Sequence, residues 1–328
     1  MDARSLSGVK SRRHNQLHQR SKCPRFHIRA PTPIRWLENL RQSVDRLGQP
    51  DRCVHVGDRE SDIYELYCLT KELGTHFVVR TVVDRLAGNG DHTISAEMRD
   101  VETAGQHLIE LRADADEVDE VTKVQLDIRF KRIRVLPPIG KKKRYPALDL
   151  TVIHAVEPNP PAGRKRIEWK LLTDLEVNSC AEAVEKIKWY AMRWKIEVFH
   201  KILKSGCRTE DARLRTADRL ANLIAVFCII SWRVLWLTML ARTAPDTPPT
   251  AALTEQEIEI LDQMVSNSGN RQATPGSLNF YLTKLARLGG YLARASDPPP
   301  GNTVVWRGLR RLTDIRLGTE IAGTLKCG

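Results

Sequence analysis

The stretch Trp189–Lys204 constrains the fold of this chain most strongly, because its side chains follow the pattern of an amphipathic helix. Four polar or charged side chains fall within an arc of roughly 60° on an α-helix, with a fifth close to that line: Tyr190, Arg193, Glu197, Lys204 and, beside them, Lys201. The opposite side carries an apolar stripe: Met192, Ile196, Phe199 and Leu203. The stretch therefore predicts one helix that buries this stripe against a core and presents a polar row.

Two interpretations of the polar row are open. Arg193–Glu197 and Glu197–Lys201 are both i,i+4 pairs, which are typical of a solvated, salt-bridged helix face. A carboxylate that can hold a metal, flanked by cations that can hold phosphates, is also what an enzyme that cuts phosphodiesters needs.

A second segment, Cys53–Asp62, favours the enzymatic interpretation. Its short apolar run has period-2 character, ends at Gly57 and delivers Asp58 at its tip. Apolar residues then recur at helical spacing: Ile63, Leu66, Tyr67 and Leu69. An acid at the end of a buried strand, beside a helix start, is a common place for a metal ligand in α/β proteins. An ordinary N-cap or turn aspartate is the alternative for Asp58.

The rest of the chain divides into three parts. Residues 1–35 are basic and without periodicity, and we predict a disordered tail or remnant. Trp36–Leu47 then predicts a helix, and Phe77–Val83 predicts a strand. The next region, to about residue 175, has a β pattern with these strands: 123–130, 133–136 and 148–156. Helices dominate from Cys180 onward, with breaks near Pro245–Pro249 and Asp297–Gly301.

Composition agrees with a polyanion as the partner. The net charge of +12 fits nucleic acid, and the basic run Lys141–Arg144 is either a contact with the DNA backbone or a solvated hairpin loop.

Seven cysteines show no paired spacing, which predicts reduced thiols in the cytoplasm. The most apolar stretch, Leu223–Leu240, contains Arg233. We interpret this stretch as a buried helix behind the Trp189–Lys204 helix, and we predict no membrane partner.

The two motifs together resemble bacterial insertion-sequence transposases of the IS-four group, which are of the DDE type. The motifs are Gly-Asp-Arg-Glu-Ser-Asp, at 57–62, and Tyr-x2-Arg-x3-Glu-x6-Lys, at 190–204. Three further blocks are similar and follow in family order: Phe77–Arg80, Ile167–Thr173 and Trp306–Leu309. The resemblance runs from about Trp36 to about Leu317.

The resemblance implies a fold and a domain organisation. The fold class would be α/β: an RNase-H-like transposase catalytic core with an inserted antiparallel β region and a helical C-terminal region. The partial core would span residues 36–217, with the insertion at about 84–175. The helical region would span residues 218–328 and is a candidate for dimerisation.

The resemblance also implies a DNA-cutting site. Asp58 would be the second aspartate and Glu197 the glutamate of the family's Asp-Asp-Glu triad, and both would be catalytic and bind Mg²⁺ or Mn²⁺ in a two-metal site. Double-stranded DNA, as transposon end or target, would be held by six residues: Arg80, Trp169, Tyr190, Arg193, Lys201 and Lys204. Trp169 lies in an apolar run, so a role in the core is equally compatible with the sequence. Asp62 matches no metal ligand of the family.

One departure from the family pattern changes the expectation for activity. The first triad aspartate should lie on an earlier strand, but neither Asp2, Asp45 nor Asp51 has that context. We therefore expect an N-terminally truncated transposase that is inactive alone and poorly soluble. Two alternatives are open. The chain could be a noncatalytic DNA-binding or dimerising fragment, pairing with itself or inhibiting an intact transposase in a mixed dimer. It could also be a basic protein that packages nucleic acid nonspecifically. The expected location is the bacterial cytoplasm, at the nucleoid.

Overall fold

The computed structural model describes residues 32–112, 121–207, 209–266 and 273–325. Residues 1–31 of the predicted tail, 1–35, lie outside the described residues. The chain forms two compact units, which divide between Tyr190 and Ala191. This division differs from the predicted boundary near residue 217. The first helix begins at Thr32, earlier than predicted.

Unit 1 is a mixed α/β structure built on one sheet. In chain order it contains α1 (Thr32–Leu47), β1 (Val54–Gly57), α2 (Tyr64–Leu73), β2 (His76–Arg80), β3 (Leu86–Ala87), β4 (His92–Thr93), α3 (Ile94–Arg99), β5 (Gly105–Arg112), β6 (Val121–Val135), β7 (Leu148–Val156), β8 (Glu168–Thr173) and α4 (Cys180–Ala191). The strand order among the described residues is β1-β2-β8-β7-β6-β3-β4, with β5 on β6. β1 and β2 are parallel, as a strand–helix–strand crossover requires, and the other strand pairs of the described residues are antiparallel. The predicted α/β class is confirmed at this level.

The sheet is covered on both faces, and each face has its own core. On one face α2 packs with Phe77, Val79 and Leu172. On the other face α4 packs with Val78 and Leu171. We call these the α2 core and the α4 core. Because neighbouring residues of a strand point to opposite faces, each strand contributes to both cores.

The two cores explain why one strand was predicted as two. Residues 123–130 and 133–136 belong to a single strand, β6. Its early apolar residues, such as Leu126 and Ile128, face the α4 core, whereas Ile133 and Val135 face the α2 core. The apolar positions therefore change from even to odd numbers, and this change looks like an interruption in the sequence. The strand predicted at 148–156 is confirmed as β7, and the one predicted at Phe77–Val83 ends earlier, at Arg80.

Unit 2 is helical. It contains α5 (Trp194–Lys201), a π-helical turn (Ile202–Gly206), α6 (Ala217–Thr243), α7 (Glu255–Met264), α8 (Leu278–Leu288) and α9 (Asn302–Leu325). The predicted breaks near 245–249 and 297–301 lie between these helices. α8 and α9 approach backbone to backbone, since a Cβ at Gly289 would overlap the Val304 carbonyl and a Cβ at Gly308 would overlap the Leu285 carbonyl. Glycine at these two positions is a requirement of packing.

The prediction of one continuous helix through Trp189–Lys204 is wrong. α4 ends at Ala191, and the next turn is closed by i→i+3 hydrogen bonds from the Lys195 and Ile196 amides to Met192 and Arg193. α5 then starts in a new phase. Its inward residues are Val198 and Phe199, followed by Ile202.

The predicted apolar stripe is wrong at two of its four positions. Met192 and Ile196 are exposed, whereas Phe199 packs against the unit 2 core and Leu203 is half-buried. The tight turn before α5 accounts for Met192, whereas Ile196 lies on α5 itself and points about 110° away from the inward direction that Val198, Phe199 and Ile202 define.

The interpretation of α6 as a buried helix is confirmed only for its second half. Val234, Leu237 and Ala241 are buried in the unit 2 core. The first half of the helix, residues 217–230, contains no buried residue at all. By length and composition α6 is able to cross a bilayer, but crossing would pull Val234 and Leu237, both fully buried, out of the unit 2 core.

Candidate functional site

Asp58 stands where the sequence predicts it, directly after β1. Its backbone is extended, and its Oδ1 accepts a hydrogen bond of 2.9 Å from the Glu60 amide. Ser61 donates its hydroxyl to the Asp58 carbonyl at 2.7 Å. Gly57 leaves no room for a Cβ, since Ser61 and Val79 occupy that space. Asp58 is thus the N-cap of a short 3₁₀ turn, as the alternative interpretation required, and its capping role is compatible with a second role.

Arg80 lies next to Asp58 at the same edge of the sheet. Gly57 pairs with Val79 in the parallel ladder, so the residues that follow them, Asp58 and Arg80, are neighbours. Arg80 donates from its guanidinium to the Glu168 carbonyl at 2.9 Å, which anchors the side chain to β8. An aspartate and an arginine therefore occupy neighbouring positions at the carboxyl ends of two parallel strands.

Trp169 and Tyr190 form an aromatic pair on the α4 face of the sheet. Their rings meet edge to face, with centroids 5.9 Å apart and planes at 64°. Tyr190 is buried in the α4 core, and Trp169 is half-buried at its margin. The core role considered for Trp169 is present. The DNA contacts of Trp169 and Tyr190 stay predictions, and for Tyr190 a contact would require access to a ring that is now covered.

Asp58, Arg80 and Trp169 share one face of the sheet. Val78, two residues before Arg80, faces the α4 core, and Trp169 packs against the same core. Val56 also faces it, and the extended backbone of Asp58 continues that alternation. Three of the predicted site residues are thus brought to one corner of unit 1.

The sequence did not indicate the role of Asp62, which lies close to the candidate site. Its carboxylate is almost fully buried. It accepts hydrogen bonds from the Tyr67 hydroxyl (2.5 Å), the Thr81 hydroxyl (2.8 Å) and the Val82 and Val83 amides (2.7 and 3.0 Å). Arg85 completes the set with an ion pair of 2.5 Å. Asp62 therefore holds the loop that follows β2, immediately after Arg80.

The environment of Asp62 keeps it ionised. Burial by itself would raise the pKa of this carboxyl, but the Arg85 charge and the hydrogen bonds from Tyr67, Val83 and Val82 lower it more, so the net pKa lies below the ordinary value. Burial raises the pKa of the Tyr67 hydroxyl well above its ordinary value. The group is a buried structural clamp, with Arg85 also lying over the Tyr67 ring at 5.3 Å.

The other half of the predicted site lies in unit 2. Glu197 is exposed on α5 and accepts a hydrogen bond of 2.6 Å from Arg193, the salt bridge expected of a solvated helix face. Lys201 ends α5, and Lys204 lies on the π-helical turn, where it pairs with Glu210 at 3.2 Å. The predicted phosphate-binding cations and Glu197 thus belong to one short segment, residues 193–204, in which Glu197 is the one carboxylate.

The predicted metal ligands are distributed over both units, with Asp58 in unit 1 and Glu197 in unit 2. Among residues 32–112, 121–207, 209–266 and 273–325, no group of three or more His, Cys, Asp or Glu side chains is placed to hold a metal. Asp58 offers the oxygen chemistry that Mg²⁺ prefers, and Mg²⁺ commonly takes one or two carboxylates together with substrate phosphates. Asp58 would therefore supply one carboxylate to such a group, and the described residues place no set of three possible ligands around it.

No protein-family model matches this chain.

Proposed function

We propose that this chain is a DNA transposase of the insertion-sequence type, with an RNase-H-like catalytic core, in a form that is inactive alone because no first triad aspartate is recognisable in its sequence. The observation that carries the proposal is the corner of unit 1 at which Asp58 follows one parallel strand and Arg80 ends the next. The strand–helix–strand unit β1–α2–β2 places both side chains at carboxyl ends of strands, where open α/β sheets bind ligands.

The chemistry follows from charge. Phosphodiester cleavage builds negative charge on the attacking and leaving oxygens, and Mg²⁺ or Mn²⁺ supplies the counter-charge. Asp58 would be one oxygen ligand, and the Arg80 guanidinium would hold a DNA phosphate through charge-assisted hydrogen bonds. Trp169, half-buried on the same face, offers an aromatic ring against which a base can stack.

Glu197, in unit 2, is the carboxylate that the resemblance assigns to the family's triad as its glutamate. Its partner Arg193, with Lys201 and Lys204, gives α5 and the following turn three cations within twelve residues, enough to clamp the phosphates beside a cut. We expect Glu197 to exchange its contact with Arg193 for a metal when DNA is bound, so that Arg193 becomes available to a phosphate.

DNA binding is the first test. We expect the chain to bind a duplex of about 30 base pairs with an affinity that falls steeply as KCl rises, because neutralised phosphates release counterions. Arg80→Gln should weaken binding and reduce the magnitude of the salt slope by about 1, the change expected for one lost phosphate contact. Arg99→Gln, an exposed arginine of α3 in the same unit, is the matched control. Binding that does not respond to salt would exclude phosphate contacts.

Cleavage is the second test, made with supercoiled plasmid and Mg²⁺ or Mn²⁺. We expect the chain to bind without nicking, since no first triad aspartate is recognisable in its sequence. Nicking that is lost in Asp58→Asn and Glu197→Gln would refute this inactivity and identify an active enzyme. Asn retains the capping oxygen of Asp58, so the first variant separates metal binding from the N-cap. Asp51→Asn and Glu259→Gln, both exposed acids, are the controls.

A noncatalytic role is the second candidate, and the Arg193–Glu197 salt bridge favours it, because Glu197 is satisfied there without a metal. In that role the chain would bind DNA or pair with an intact transposase and inhibit it. Co-purification of the tagged chain with an intact transposase would support this candidate. Recovery of the tagged chain alone, as a monomer, would contradict it. We place either form in the bacterial cytoplasm.

A further inference from the structure

The loop that follows β2, residues 81–85, carries two exposed valines. Val82 is 57% exposed and Val83 is 50% exposed. In the part of the chain that the structure describes, no other two consecutive large apolar residues are both exposed. Loops ordinarily carry polar side chains at such positions, because an apolar side chain that stays in water contributes nothing to folding. We call these two residues the valine tip.

The backbone of the valine tip is held from inside by Asp62. Its Oδ2 accepts hydrogen bonds from the Val82 and Val83 amides at 2.7 and 3.0 Å, and from the Thr81 hydroxyl at 2.8 Å. Arg85, paired with the same carboxylate, donates to the Val83 carbonyl at 3.4 Å. The polar groups of the loop therefore turn inward, and the two valine side chains face the solvent.

The valine side chains are stiff as well. Branching at Cβ restricts χ1, so each side chain has few conformations to lose when it contacts a ligand. A mobile loop would have to be ordered at the moment of binding, whereas this loop is ordered beforehand by the Asp62 carboxylate. The valine tip is thus preorganised for insertion into another molecule.

The valine tip lies beside the proposed phosphate site. The Thr81 amide donates to the Lys170 carbonyl at 2.9 Å, so β2 stays paired with β8 through Thr81 and the tip begins at the next residue. It therefore lies at the same edge of the sheet as Asp58 and Arg80. Two residues span at most about 7 Å, and stacked bases of one strand are about 3.4 Å apart. A phosphate held by Arg80 would place Val82 within about two base steps of it.

The charge and size of the valine tip favour the bases of DNA as its target. The tip is uncharged, so its contacts would be with bases or sugars, and Arg80 would hold the phosphate. The neighbouring Asp84 would repel a phosphate, but its Oδ1 accepts from the Ser95 amide at 2.8 Å, which directs the carboxylate toward α3. Two valines are too small for the apolar centre of a protein interface, which buries about 800 Å² per partner. Apolar side chains inserted between base steps are a common means of deforming DNA.

We propose that the valine tip is an apolar wedge that enters a DNA base step beside the phosphate held by Arg80. This inference rests on the proposed function and adds to it a preference among DNA substrates. In a regular duplex the wedge has to unstack a step before it can enter, and unstacking costs free energy. DNA whose stacking is already interrupted by mismatched bases carries less of that cost, so the chain binds it more tightly.

The exposed area limits the size of the preference. The two side chains expose on the order of 100 Å² of apolar surface, and at about 25 cal/mol per Å² its complete burial corresponds to roughly 60-fold in affinity. A wedge in a base step buries part of this surface. We therefore expect mismatched DNA to bind about tenfold more tightly than matched DNA.

Fluorescence anisotropy of the whole chain tests the preference with two labelled duplexes of about 30 base pairs, identical except for adjacent mismatches at the centre of one. Val82→Thr combined with Val83→Thr keeps the branched shape and replaces one methyl of each side chain by a hydroxyl. In this double variant the preference should fall below about twofold, while the affinity for matched DNA stays that of wild type. Val226→Thr, at a valine of unit 2 that is 51% exposed, is the matched control and should keep the full preference. Circular dichroism checks that the variants fold.

Two results would overturn the wedge and leave the proposed function standing. One is salt-dependent binding of both duplexes with equal affinity by the wild-type chain. The other is a preference for mismatched DNA that survives in the double variant. Binding of neither duplex, or binding that does not respond to KCl, would refute the proposed function and the wedge with it.

Discussion

Replacing Asp62 by asparagine should release the loop beside Arg80. The substitution keeps the shape of the side chain. The amide oxygen can replace Oδ2, which accepts from Thr81, Val82 and Val83. The amide nitrogen then faces Arg85 in place of Oδ1, so the guanidinium loses its counter-charge while it remains buried.

The expected magnitude follows from the burial of this pair. The side chains of Asp62 and Arg85 are 1% and 6% exposed, so solvent does not screen the lost charge. Removing one partner of a buried ion pair costs about 3–5 kcal/mol. The control is Asp149→Asn, an exposed aspartate opposite Arg134 in the β6–β7 ladder. An exposed pair contributes about 0–1 kcal/mol.

Hydrogen exchange measured by mass spectrometry tests this locally. The Val82 and Val83 amides are protected by Asp62, so their exchange should accelerate in Asp62→Asn. At about 1.4 kcal/mol per factor of ten, a loss of about 3–5 kcal/mol corresponds to an increase of roughly 10²- to 4 × 10³-fold. Asp149→Asn should leave these amides unchanged. Equal exchange in wild type and Asp62→Asn would refute the assignment of Asp62 as the clamp of this loop.

Three further predictions concern packing and acid stability. Gly308→Ala should destabilise the chain by about 1–3 kcal/mol, because the added Cβ would overlap the Leu285 carbonyl. Gly318→Ala, in open space on the same helix, should stabilise the chain by about 1 kcal/mol. Urea unfolding followed by circular dichroism compares the two variants. Gly57→Ala should cost about 1–3 kcal/mol against a near-neutral Gly140→Ala, measured by the same unfolding curves; equal midpoints would contradict the crowding at Gly57. Because the folded pKa of Asp62 is lowered, its stabilising contribution is complete above the unfolded value of about 3.9 and is lost as the pH falls through the folded value. The stability difference between wild type and Asp62→Asn should therefore shrink below about pH 4, and a difference that is constant from pH 7 to pH 2.5 would contradict the pKa assignment.

Local patterns predicted the elements that local physics determines. The strand that ends at Gly57, the capping position of Asp58 and the strand 148–156 follow from period-2 alternation and from turn chemistry. Each depends on residues that are adjacent in the sequence, so no distant partner was needed to place them.

Contacts between distant residues account for what the sequence missed. Asp62 is a clamp only because Thr81–Arg85, about twenty residues later, folds back onto it, and an isolated acid after Asp58 gives no signal of that. The split between α4 and α5 was hidden because Trp189–Lys204 keeps a helical pattern through the turn. Similarly, the uniform hydropathy of α6 does not distinguish the half that the core covers from the half that it leaves exposed.

A titration with Mn²⁺ in the presence of duplex DNA tests the central claim most directly, because it measures the proposed metal site without requiring turnover. Free Mn²⁺ is followed by its electron paramagnetic resonance signal. The account predicts that Asp58→Asn and Glu197→Gln each weaken Mn²⁺ binding by at least about 10–100-fold, while Asp51→Asn and Glu259→Gln bind like wild type. Superimposable titrations of all five proteins would contradict it.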